Sequence, residues 1–155
     1  MIEMKRDSDD RAVAERMAPG ALSREGFLGS DQRPLADIIR ADRAEAERLG
    51  VTCELLAERL RRILDAAVAA LGAPVQVAPH LTTVHREAMG RIPCPVSGCG
   101  LFPKGEAEVT DTATGERILL SPLSVHLLRE HGFCQGRGSR YRLEPAALIR
   151  LLGLG

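Results

Sequence analysis

Residues 94–100 read CPVSGCG, a tight turn containing Gly and Pro that sets two thiols, Cys94 and Cys99, with four residues between them. A turn of this kind aims both sulfurs to one side, which is how two ligands of a tetrahedral metal are commonly supplied. Further along the chain, His126 and His131 repeat the four-residue spacing with imidazoles. Two sulfurs and two ring nitrogens make the donor set of a closed zinc site, so the four residues are expected to hold one Zn2+. No charged and apolar leader pattern accompanies the cysteines. A cytoplasmic chain with reduced thiols is therefore expected, and metal binding is the better reading of the paired Cys.

The segments around this core set the fold class. Before it, Val75, Val77, Leu81 and Val84 show no helical period and predict a strand over 81–89, closed by Gly90 and Pro93. After it, residues 107–110 and 117–120 flank a turn at Gly115 and read as a β-hairpin. Ser121 followed by Pro122 opens a helix, a hydroxyl cap before a proline at the first helical position, and Gly132 stops it. A last helix starts at Pro145. On an ideal helix, residues five apart point about 140° away from each other. His126 and His131 can therefore meet only if the last turn opens at Gly132.

Knuckle, hairpin and helix in this order resemble the Cys2His2 zinc domains, with the look of a treble clef, over residues 93–134. The resemblance implies a structural zinc ion. It departs from the DNA-binding finger in having 26 residues between Cys99 and His126, where the finger has about a dozen. The base-reading positions of that family therefore do not carry over. Two other ligand sets remain open: Cys134 in place of His126, or His85 in place of either histidine.

Working outward to the N-terminus, Thr52 caps a helix whose Leu56, Leu60, Ile63, Leu64, Ala67 and Leu71 form one stripe ending at Gly72 and Pro74. A weaker helix precedes it from Pro34, with Asp31 as its cap. Residues 1–33, rich in Asp, Arg, Gly and Ser, read as a flexible N-terminal arm. The expected organisation is α+β, with that arm, a helical hairpin over 34–74 and a zinc-binding domain over 75–155. The stripe covers either the rest of the chain or, through residues 52–71, a second copy or a protein partner.

Lys plus Arg and Asp plus Glu number 21 each in 155 residues, so the whole chain lacks the positive excess of nonspecific nucleic-acid binders. No apolar stretch is long enough to span a membrane; Ala66 to Val75 is interrupted by Gly72 and Pro74. Arg137, Arg140 and Arg142 nevertheless gather in a Gly-rich loop whose guanidinium forks and free backbone N–H groups suit phosphate. The expected function is a non-catalytic, zinc-stabilised binding module, with DNA or RNA as the first partner to consider. A scaffold subunit that oligomerises through its helices is the alternative. A small metalloenzyme with Glu130 or Glu87 as base ranks last, because no hydrolase signature surrounds either residue.

Overall fold

The computed structural model describes residues 11–96 and 98–154. Residues 11–16 are helical; after them come helices α1 (Leu35–Arg48), α2 (Cys53–Ala69), α3 (Pro122–His131) and α4 (Pro145–Leu152), with six strands. These are β1 (Val75–Ala78), β2 (Leu81–Arg86), β3 (Arg91–Pro93), β4 (Leu101–Pro103), β5 (Glu106–Asp111) and β6 (Arg117–Leu120). The architecture is α+β. No helix among the described residues is long and apolar enough to cross a membrane.

β1, β2, β5 and β6 form one antiparallel sheet in that order, and β3 and β4 form a separate two-stranded ribbon inserted between β2 and β5. Period-2 alternation sets the register of the sheet. Thr83, Val109 and Ile118 are aligned across β2, β5 and β6 on the face that meets the helices. Thr83 is buried there and satisfies its hydroxyl on the Glu108 carbonyl at 3.0 Å.

The Leu stripe of α2 covers this sheet. Leu56, Leu60 and Leu64 share one core with Leu81, Ala107, Val109 and Leu120. Burying each Leu stabilises the fold by about 1.5–3 kcal/mol. Of the two covers open to this stripe, the rest of the chain supplies the one seen here. The division expected at residue 75 is not a break in the core, because helix and sheet bury each other. Nor do α1 and α2 act as a hairpin: α1 packs chiefly on α4, and α2 on α3 and the sheet.

A second core gathers Met17, Phe27, Ile38, Cys94, Leu123, Leu127 and Phe133. Met17 and Phe27, 1% and 4% exposed, come from the segment expected to be a flexible arm. Over residues 11–33 that expectation fails because these two isolated large side chains find a cavity that the helices and ribbon leave open. Residues 1–10 lie outside the described part. Helix α3 is the wall between the cores, sending Val125 and Leu128 to the first and Leu123 and Leu127 to the second.

The caps follow the expected chemistry at two of three sites. Thr52 accepts from Leu55 N at 3.1 Å. Ser121 and Ser124 cap each other reciprocally, at 3.0 and 2.9 Å. α1 opens on Pro34 without a side-chain cap. Asp31, expected there, is held instead by Arg33 at 2.9 and 2.7 Å.

Candidate metal centre

The ribbon and α3 bring four side chains to one point. Cys94 and Cys99 sit at the turn joining β3 to β4, which Cys94 N closes onto the Gly100 carbonyl at 3.2 Å. His126 and His131 come from the middle and the last residue of α3. One donor atom from each of the four lies within 4.8 Å of every other.

The distances suit a tetrahedral ion. Bonds of about 2.3 Å to sulfur and about 2.0 Å to nitrogen, at the tetrahedral angle, place S and N about 3.5 Å apart. His131 Nε2 stands 3.5 Å from Cys99 Sγ and 3.7 Å from Cys94 Sγ. His126 Nε2 is buried and has no hydrogen-bond partner among the described residues. A buried ring nitrogen left so costs about 1–3 kcal/mol, which coordination would remove. The orphan atom and the donor set fit a metal ion.

The helix ends directly after the His pair. Gly132 takes φ of 61°, which a side chain rarely adopts, and Phe133 N returns six residues to the Leu127 carbonyl at 3.0 Å instead of the usual four. His126 lies against Phe102, ring centroids 4.4 Å apart, and meets His131 edge-on at 5.3 Å. Burial holds His126 below the ordinary imidazole pKa, with His131 adding to the effect, and burial lowers His131 likewise. Both shifts favour the neutral form that ligates metal. Burial pushes the Cys94 thiol up to about 11, so a metal has to displace its proton.

The other candidate ligands lie elsewhere. Cys134 is fully buried in the first core, where burial raises its pKa. His85 sits on β2 opposite Ala107, its ring against Gly105. Neither belongs to the cluster. Two residues that build the site carried no sequence signal of that role. Arg16 donates from Nε to the Pro95 carbonyl at 2.5 Å and so ties the N-terminal segment to the knuckle. Phe102 gives His126 its apolar wall, and its only clue was a place just beyond the second thiol.

The three arginines expected to meet phosphate have different surroundings. Arg142 is internal: its guanidinium pairs with Asp42 at 2.9 Å through both oxygens, with Glu144 at 2.7 Å, and with the Gln135 carbonyl at 2.6 Å. Arg140 is held by Glu106 at 3.0 Å. Arg137 is exposed and makes no ion pair among the described residues. The anticipated basic surface is therefore reduced to Arg137 and a partly neutralised Arg140, because carboxylates distant in sequence consume the rest. In comparisons with protein-family models, curated proteins and solved structures, nothing matches this chain.

Proposed function

We propose that this chain is a non-catalytic binding module whose ribbon and α3 are held together by one structural zinc ion on Cys94, Cys99, His126 and His131. The observation that carries the reading is the convergence of four donor side chains, one of them His126, whose buried Nε2 has no hydrogen-bond partner among the described residues. Four protein ligands fill a tetrahedral ion and leave no position for a reacting water. Glu130, the nearest candidate base in sequence, is mostly exposed and faces Arg129 at 3.8 Å. What the ion supplies is a cross-link between two short elements that bury little apolar surface by themselves.

Metal analysis of the purified chain tests this directly. One zinc per chain is expected, with X-ray absorption reporting two sulfur and two nitrogen neighbours. His126→Ala is expected to lose stoichiometric zinc, and His85→Ala to keep it. Adding zinc to the metal-free chain near pH 7 is expected to release about two protons, one from each thiol. A coordination shell containing water, or a metal content far below one per chain, would sink the proposal.

A further inference from the structure

A cavity of about 310 Å³ lies beside the metal centre without sharing any of its ligands. Phe27, Ile92 and Leu123 give it apolar walls, and the first turn of α3 opens onto it. Its volume is at the lower end of the range in which small molecules bind. Arg24, Lys104 and Arg140 stand around it, against Glu25. Arg24 and Lys104 are exposed and make no ion pair among the described residues. Arg140 is paired with Glu106, which also accepts from the Tyr141 hydroxyl at 3.4 Å and so fixes both side chains as one wall. Setting Glu25 and Glu106 against the three cations leaves a single positive charge.

The most informative lining residue is Gln135. It is 2% exposed, yet its backbone takes φ of 70°, the left-handed region that β-carbons disfavour. The only other described non-glycine residue with positive φ is Leu71, exposed at a helix end where the conformation costs little. Buried strain of this kind costs about 1–3 kcal/mol and persists where the surroundings over-determine it. They do so here. The Gln135 carbonyl accepts from Arg142, and the next residue, Gly136, donates to the Phe27 carbonyl at 2.9 Å. A β-carbon on Gly136 would lie 2.1 Å from the Leu28 carbonyl oxygen, so the chain is pressed against its neighbour. Ser139 donates to Gln135 Oε1 at 2.5 Å, which leaves the amide nitrogen with no hydrogen-bond partner among the described residues.

From the unpartnered Gln135 amide nitrogen, the apolar walls and the surplus cation, we infer that this cavity binds a small organic monoanion. Its apolar body would rest on Phe27, Ile92 and Leu123, a carboxylate would lie among Arg24 and Lys104, and an acceptor atom would meet the Gln135 amide. The inference deepens the binding-module reading, and rests on it for the premise that the chain binds without reacting.

The test uses the full zinc-loaded chain, 2-naphthoate as the probe and 2-naphthamide as its neutral isostere, followed by 15N–1H NMR. Naphthoate is expected to move the side-chain amide signals of Gln135, and naphthamide to bind about tenfold more weakly. Lys104→Ala and Arg24→Ala are expected to remove most of the difference between the probes. Gln135→Gly keeps the fold, since glycine accepts the positive φ, and is expected to bind naphthoate about tenfold more weakly. Equal affinity for the two probes, or naphthoate binding unchanged in Gln135→Gly, overturns the proposal. Zinc is counted on the same samples. A zinc-loaded chain that ignores naphthoate overturns the cavity alone, whereas a naphthoate-binding chain without stoichiometric metal overturns the zinc reading alone.

Discussion

Asp31 accepts four hydrogen bonds, three from Arg33 and one from the backbone of Arg137, so a single carboxylate ties the N-terminal segment to the glycine loop. Its side chain is only 3% exposed. The Arg33 guanidinium holds its pKa well below the usual carboxylate range, with burial opposing and the Arg137 N–H assisting. A pKa lowered on folding means stability present above the unfolded value, about 3.9, and lost as the pH falls below it. Asp31→Asn is expected to cost about 2 kcal/mol at pH 7. That difference should shrink steadily in melts below about pH 4; a cost independent of pH would count against this account. The sequence suggested Asp31 as a helix cap because spacing alone cannot tell a cap from a latch. Arg142 was misplaced for a related reason. Its partner Asp42 is 100 residues away, and no local pattern announces a pair of that separation. Deleting Asp42 leaves the buried guanidinium with only Glu144 and the Gln135 carbonyl, so Asp42→Ala is expected to destabilise by about 1.5–3 kcal/mol in chemical unfolding, more than loss of an exposed pair.

Among the elements, those with periodic or punctuated sequences were legible. Thr52 and the Leu stripe announced α2, and Ser121 with Pro122 announced α3. The two reciprocal hydrogen bonds of that Ser121–Ser124 box hold the helix that carries both histidines. Ser121→Ala is expected to lower stability by about 1 kcal/mol. It should do so with zinc bound as well as without it, because the cap lies at the opposite end of α3 from His131. A loss seen only in the metal-free chain would mean that the ion already fixes the helix. The N-terminal segment was illegible because Met17 and Phe27 are ten residues apart with no apolar period between them. Their burial is decided by a cavity that exists only once the other elements have assembled. At the candidate site the knuckle and the spacing of the imidazoles could be read, and so could the end of the helix at Gly132. Arg16 and Phe102 could not, since neither residue type marks a ligand shell.

For the molecule as a whole, the two cores have different supports. The first is built from α2, the sheet and α4, and the second joins the N-terminal segment to the ribbon and α3. Chelation is therefore expected to unfold unevenly. Amide exchange should accelerate first around residues 17–27 and 91–103, while β2 and β5 keep their protection. Simultaneous loss of protection throughout would show that the cores form one cooperative unit. The inserted ribbon has a further consequence. Arg86 and Glu106, where β2 ends and β5 begins, are direct cross-strand neighbours, so the whole loop that carries Cys94 and Cys99 leaves and rejoins the sheet at a single rung. The loop is thus a cassette. Cut at that rung and replaced by a short reverse turn, it could be lifted out without altering the order of the four strands. The same rung is where a foreign metal knuckle could be grafted in.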